Sequence, residues 1–142
     1  MGKKKVAIQT GDVLSEGKAS AVASSSRKVE QGRVYVKTSF NNTMITVTDE
    51  RGAVLAWGSA GSMGFTGPKK ATPFAASKIV SMLAEKLKRT GPVNVDVIIR
   101  GIGGGRDSAL RSLVNQGFNV ISVRDMTPIP HNGPRPKKVR RV

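Results

Sequence analysis

Residues 94–123, NVDVIIRGIGGGRDSALRSLVNQGFNVISV, contain a strand, a helix and a second strand in direct succession. The apolar run at 94–100 predicts a buried strand, apolar positions recur at helical spacing in 107–116, and residues 118–123 predict the next strand. Such a unit crosses over in the right-handed sense, so its two strands are expected to be parallel. The predicted helix directs three apolar side chains inward: Leu110, Leu113 and Val114.

Three short strands precede this unit, at residues 33–39, 43–48 and 53–58. The links between them are short and rich in turn-forming residues, which predicts an antiparallel meander. In the first strand, every second residue from Val34 to Thr38 lies on one side, so this side is expected to face the core.

A longer helix connects the meander to the strand–helix–strand unit. It begins at Thr72-Pro73, because threonine caps a helix N-terminus and proline fits the first helical position, and it ends before Gly91-Pro92. The order strand, strand, strand, helix, strand, helix, strand predicts an α/β domain with one mixed five-stranded sheet covered by helices. We expect this domain at residues 32–125, a flexible basic extension at 1–31 and an extended basic tail at 126–142.

The charge balance is the first indication of function. The 142 residues include 24 Lys and Arg against 9 Asp and Glu, a formal net charge of +15 at pH 7. Such an excess destabilises a compact protein unless a polyanion neutralises it; nucleic acid is the commonest such partner, and an anionic membrane surface is second. Arg135 to Val142 contain five cations and no acid, which predicts a solvated tail or an arm laid along phosphates. The basic body favours the arm.

The glycine-rich segment from Gly101 to Arg106 joins a strand to a helix and has three interpretations. A dinucleotide-binding loop is disfavoured, because Arg106 stands where the third glycine of that fingerprint belongs, although Asp125 lies at a suitable distance along the chain. A tight turn that needs glycine is the plainest interpretation. We favour a third, a cradle for one backbone phosphate, since backbone N–H groups at a helix N-terminus attract anions and Arg106 adds a bidentate donor.

A second glycine-rich stretch, Gly58 to Lys70, contains Phe65 and ends in paired lysines. It is either a flexible loop with Phe65 tucked into the core or a loop that follows a folded RNA surface. In the second case Lys69 and Lys70 contact phosphates and Phe65 stacks on a base. Asn41 and Asn42 also have two interpretations. They are either turn residues or amides that contact RNA sugars or bases.

Catalysis has little support in the sequence. Cysteine is absent, and the only histidine, His131, has no apparent nucleophile or orienting partner. We expect no enzyme, no cofactor and no metal, and no apolar run approaches the roughly 18 residues of a membrane span. The alternatives are a small metal-dependent nuclease or nucleotide-binding enzyme, and a free-standing protein that coats RNA or the chromosome. A nuclease would need several of five scattered carboxylates at one metal: Asp49, Glu50, Asp96, Asp107 and Asp125.

Four blocks of sequence resemble a known family, the eleventh proteins of the bacterial small ribosomal subunit. They are Ser39-Phe-Asn-Asn-Thr43 with Thr46-Val-Thr-Asp49, Ala60-Gly-Ser-Met-Gly-Phe65 with Lys69-Lys-Ala-Thr-Pro-Phe-Ala-Ala76, the glycine segment ending at Arg106, and Asp125-x-Thr-Pro-Ile-Pro-His-Asn-Gly133 with the basic end. The resemblance covers about residues 32–142 in matching order. It implies a three-layer α/β domain that binds 16S-type ribosomal RNA in the platform of the small subunit.

The resemblance also implies a neighbourhood. The family lies near the messenger exit path and its Shine-Dalgarno duplex, beside the seventh, eighteenth and twenty-first small-subunit proteins. We expect a cytoplasmic ribosomal protein, with an organelle ribosome as an open alternative, and neither a membrane partner nor a homo-oligomer. The expected RNA-contacting residues are Asn41, Asn42, Phe65, Lys69, Lys70, Arg106, Arg111, His131, Asn132, Arg135, Lys137, Lys138, Arg140 and Arg141.

Overall fold

The computed structural model describes residues 29–140, so the predicted extension at 1–31 lies almost wholly outside the described residues. The regular elements follow the chain as β1 (Gln31–Thr38), β2 (Thr43–Asp49), β3 (Val54–Ser59), α1 (Pro73–Leu87), β4 (Asn94–Gly101), α2 (Gly105–Asn115) and β5 (Asn119–Asp125). Two short 3-10 turns, Gly61–Met63 and Gly67–Ala71, lie between β3 and α1. Within residues 29–140, no helix combines the length and the apolar character that crossing a bilayer requires.

One mixed sheet contains all five strands in the order β3-β2-β1-β4-β5, as an α/β domain with a mixed sheet predicts. β1 is central, antiparallel to β2 and parallel to β4. The predicted meander is confirmed, because β2 is also antiparallel to β3. Alternate residues of β1, Val34, Val36 and Thr38, are buried as the sequence indicated. Their burial beneath the helices fixes the register of the central strand.

The long helix α1 starts where the sequence predicts. The Thr72 hydroxyl accepts a hydrogen bond from the N–H of Ala75 at 3.3 Å, and Pro73 occupies the first turn. Its buried side chains, among them Ile79 and Leu83, form a stripe against the sheet. Helix α2 buries fewer: Ala109 and Leu113 face inward, while Val114 is 56% exposed, so its predicted inward position is wrong.

The predicted three-layer arrangement is also wrong for the described residues. Both helices lie on one side of the sheet and touch each other, with the hydroxyl of Ser112 donating to that of Ser77 at 2.9 Å. Each crossover, β3 to β4 and β4 to β5, moves in the same direction across the sheet. Two right-handed crossovers in one direction place both helices on the same side. The other side, which we call the open face, is covered by no helix of residues 29–140.

Candidate nucleic-acid interface

Four of the five strands run in one direction, so the loops that follow them meet at one edge of the sheet. β1, β4 and β5 are mutually parallel, and β3 shares their direction because two antiparallel pairings through β2 separate it from β1. We call this edge the loop edge; it comprises residues 39–42, 60–72, 101–106 and 126–128. Ligands of open α/β sheets bind at the carboxyl ends of the strands. The loop edge is therefore the first place to examine for a binding site.

The glycine segment is held against the end of β1 so closely that side chains do not fit. Gly101 has a φ of +96°, and a Cβ there would overlap the carbonyl oxygen of Thr38. A Cβ on Gly103 would lie 2.7 Å from the carbonyl oxygen of Ser39. The tight-turn interpretation thus has direct structural support, because packing alone requires these glycines.

The turn between β1 and β2 is closed by its own hydrogen bonds. The N–H of Asn42 donates to the hydroxyl of Ser39 at 3.0 Å, and the Asn42 side-chain oxygen accepts from the N–H of Thr43 at 3.0 Å. Asn41 is exposed at the tip of the turn. Asn42 therefore has a structural task, whereas the Asn41 amide points to no partner within residues 29–140 and is available to a ligand.

Phe65, predicted to stack on a base, is half-buried and packs against the core. Its ring meets that of Phe74 edge-on, with centroids 6.0 Å apart. Phe74 is the exposed ring of the pair, at 62%, and the ammonium of Lys78 lies 5.5 Å from its centroid. The sequence analysis did not identify Phe74 as a candidate contact. Its position just after the capping Thr72-Pro73 could have indicated one, because a residue in the first turn of this helix lies at the loop edge.

The paired lysines lie beside the glycine segment. They belong to the 3-10 turn Gly67–Ala71, where Lys69 is exposed and Lys70 is half-buried. A Cβ built on Gly104 would lie 3.5 Å from the carbonyl oxygen of Ala71. The structure therefore brings together at one edge two of the segments that the sequence singled out separately.

Arg106 lies in a hydrogen-bonded cluster that joins the glycine segment to the start of the tail. Its guanidinium forms an ion pair with Asp125 and donates to the carbonyl oxygen of Gly101 at 3.0 Å. The Thr127 hydroxyl donates to Asp125 at 2.6 Å and accepts from the N–H of Gly101 at 3.1 Å. The hydrogen bonds from Arg106 and, after them, those from Thr127 lower the pKa of Asp125 from 3.8 to about 2. We call these four residues the Arg106 cluster; it fixes the point at which the tail leaves the sheet.

The tail beyond this cluster is exposed and contains no helix or strand up to residue 140. His131 and Asn132 form a turn, and the following cations have no acidic partner among the described residues. Arg111 is exposed on α2, whereas Arg141 lies outside the described residues. The predicted contact residues therefore divide into a set at the loop edge, Arg111 on a helix, and a set along the tail.

Three of the five carboxylates that a nuclease would need have structural tasks instead. Asp49 accepts from the N–H of Ala53 at 2.8 Å, Asp96 accepts from the hydroxyl of Ser122 at 2.6 Å, and Asp125 belongs to the Arg106 cluster. No group of three or more His, Asp or Glu residues between 29 and 140 is placed to hold a metal ion. Over the same residues the Arg106–Asp125 pair is the only salt bridge, so the other cations there are available to an anionic partner.

Comparison with known proteins gives a consistent result. A family model described as "Ribosomal protein S11" matches residues 32–141. The chain is 49% identical, over 116 residues, to proteins named "Small ribosomal subunit protein uS11" from two strains of Treponema pallidum, one of them the Nichols strain. Each alignment covers 82% of this chain and 92% of the relative. The matched region includes every described strand and helix except the first residue of β1.

Proposed function

Because the chain belongs to the ribosomal protein S11 family, we propose that it is a structural constituent of the small ribosomal subunit and binds 16S-type ribosomal RNA in the platform. Its position there is near the messenger exit path and the Shine-Dalgarno duplex, beside the seventh, eighteenth and twenty-first small-subunit proteins. The protein resides with the ribosome, which in bacteria is cytoplasmic. It acts by binding RNA and not by catalysis, since the family is one of ribosomal structural proteins.

The observation that supports RNA binding most directly is the meeting of basic segments at the loop edge. The paired lysines, the glycine segment and the origin of the tail adjoin one another there. Lys69 and the tail cations have no acidic partner among residues 29–140. Their full positive charge is therefore available to neutralise RNA phosphates. Neutralising crowded phosphates in this way lets neighbouring RNA helices approach each other.

The proposed RNA contacts comprise a phosphate-binding group, Lys69, Lys70, Arg106 and Arg111, and a group that approaches sugars or bases, Asn41, Asn42, Phe65, His131 and Asn132. The tail adds Arg135, Lys137, Lys138, Arg140 and Arg141. Arg106 has a second task, because three of its neighbours in the cluster already accept or share its hydrogen bonds. With its side chain 29% exposed, it contacts phosphate while fixing the direction of the tail.

Co-sedimentation of the tagged chain with small ribosomal subunits after a high-salt wash tests this proposal. The wild-type chain is expected to remain with the subunit. The pair Lys69→Ala and Lys70→Ala is expected to wash off at lower salt. The matched pair Lys86→Ala and Lys88→Ala, at the C-terminal end of α1 away from the loop edge, is expected to stay bound. A wild-type chain that never sediments with small subunits would refute the proposed function.

A further inference from the structure

The open face has a row of side chains that crosses the sheet from Trp57 to Arg124. In register from one edge to the other, Trp57 lies beside Thr46, Thr46 beside Tyr35, Tyr35 beside Ile98, and Ile98 beside Arg124. Side chains of directly paired residues project from the same side of a sheet. Trp57 is 58% exposed, and Tyr35 and Ile98 are half-buried. Two aromatic rings therefore lie two strands apart, about 10 Å. Tyr35 lies within the open face, and Trp57, on the edge strand β3, also borders a depression lined by Met82 and Lys86 of α1.

Charge on the open face is divided between its two ends. The end next to the loop edge has Lys37 and Arg100, paired in register, with Arg124 close by on β5. These three side chains are exposed, and none forms an ion pair with the described residues. At the opposite end Arg33 shares a shallow depression with acidic Glu50 and Asp96. The end next to the loop edge is thus the cationic one.

The cationic end is continuous with the loop edge. A cavity of about 320 Å³ connects them, lined by Lys37 and Arg100 from the strands and by Phe40, Ile102 and Pro128 from the loops. A ligand held at the loop edge therefore passes onto the open face without crossing an acidic region.

We propose that the half of the open face next to the loop edge is a second RNA-binding surface, one that takes single-stranded RNA. Bases stack on Trp57 and Tyr35, and the backbone phosphates lie against Lys37, Arg100 and Arg124. A sheet face with exposed aromatics among cations binds unpaired bases in this way, because every base has a stacking face and duplex RNA hides it. The inference rests on the proposed function for the class of ligand, but it assigns a surface and a strandedness that the loop edge does not.

Charge favours RNA over a protein partner on this surface. The centre of a protein interface is depleted of charged side chains, since each must lose its hydration. Here three cations without acidic partners among residues 29–140 lie on β1, β4 and β5 beside Tyr35, so a neutral protein surface would bury them uncompensated. A strand of RNA supplies both the phosphates and the stacking partners.

The fluorescence of Trp57, the only tryptophan of the chain, reports on this surface directly. Titration of the full chain with an oligouridylate of about eight nucleotides is expected to quench it to saturation, whereas duplex RNA leaves it nearly unchanged. Tyr35→Leu is expected to weaken this binding about tenfold, and Tyr35→Phe, which keeps the ring, to leave it unchanged.

A pair of charge variants tests the phosphate contacts. Changing Lys37, Arg100 and Arg124 together to Gln is expected to lower the slope of log K against log salt by about 2, since each phosphate contact to a single strand contributes about 0.7. The matched change of Arg51, Lys88 and Arg89 to Gln removes the same charge from exposed positions away from the loop edge and is expected to leave quenching and slope unchanged. Thermal unfolding of each variant verifies that the sheet is intact.

The outcomes separate this inference from the proposed function. Oligouridylate binding seen by anisotropy without quenching of Trp57, or unaffected by Tyr35→Leu, would overturn the second surface and leave the loop edge standing. Open-face variants that bind RNA normally but fail to join subunits reconstituted with the other proteins would identify a protein occupant, which also overturns it. Absence of binding to any structured or single-stranded RNA would refute the proposed function itself.

Discussion

Alanine at Gly101 is expected to destabilise the whole domain, because packing and backbone conformation both require glycine there. At a φ of +96° an alanine costs about 1–2 kcal/mol. Its Cβ would also overlap the Thr38 carbonyl oxygen, which cannot retreat easily because Thr38 ends the central strand. Forcing such an overlap costs about 1–3 kcal/mol, so the free energy of unfolding is expected to fall by about 2–5 kcal/mol.

Gly117 provides the matched control for this substitution. It has a similar φ of +89°, yet a Cβ there would meet no atom within 4 Å. Gly117→Ala therefore has only the conformational cost of about 1–2 kcal/mol. In urea unfolding followed by far-UV circular dichroism, a slope of about 2 kcal/mol/M predicts midpoints lowered by roughly 1–2.5 M for Gly101→Ala and 0.5–1 M for Gly117→Ala.

RNA affinity decides between the two surviving interpretations of the glycine segment. If both variants lose the same small amount of stability while Gly101→Ala alone loses RNA binding, the close packing against Thr38 is not what requires glycine. The segment would then act as a phosphate cradle in which bare backbone approaches the ligand. Equal stability of the two variants is thus the result that would refute the packing argument.

Three further predictions concern a buried hydroxyl, an ion pair and the tail. Thr43→Val is expected to raise the free energy of unfolding by about 1 kcal/mol, because the buried Thr43 hydroxyl has no partner among residues 29–140. Thr48→Val, on the same strand, is expected to lower the free energy of unfolding, because the Thr48 hydroxyl donates to the Asp49 carbonyl at 3.1 Å. Chemical unfolding of the two variants tests these opposite signs. Asp125→Asn removes a carboxylate with a pKa of about 2. The stability advantage of the wild type over this variant is expected to be complete above pH 3.8 and to disappear as the pH falls towards 2. Thermal unfolding at a series of pH values measures this difference, and a difference that does not change with pH would contradict the ion pair. Deletion of residues 135–142 is expected to lower the slope of log K for RNA binding against log salt by roughly 3–4, if about four phosphate contacts are lost. An unchanged slope would show that the tail does not contact RNA phosphates.

The features that the sequence predicted correctly are those set by neighbouring residues. Turn-forming links between β1, β2 and β3 specify the meander, and Thr72-Pro73 specifies the start of α1. Alternation in β1 identifies its buried side, because side chains of a strand point to opposite faces in turn. Each of these signals acts over a few residues, so no knowledge of the strand order is needed to interpret it.

The features that were missed depend on which strands are neighbours. The Arg106–Asp125 pair joins residues nineteen positions apart: Arg106 is in the first turn of α2, which follows the end of β4, and Asp125 ends the neighbouring parallel strand β5. Once those strands are known to pair, the proximity of the two residues follows from the shared direction. Val114 was misplaced for a related reason: α2 lies at the side of α1 and needs only a narrow apolar stripe, through Ala109 and Leu113, to cover its part of the sheet.

The strand order explains why the domain has two layers and why one face of its sheet is open to a ligand. β4 pairs with β1 rather than with β3, so the first crossover passes over two strands and the second continues in the same direction. The right-handed rule then places both helices on one side and leaves the other without a cover among the described elements. An open sheet face in contact only with water favours polar side chains, and Lys37 and Arg100 conform, but Trp57 and Ile98 do not. An exposed aromatic ring such as Trp57 that no folding requirement explains indicates a surface completed by a partner. The open face, and not the loop edge alone, therefore belongs to the proposed binding surface.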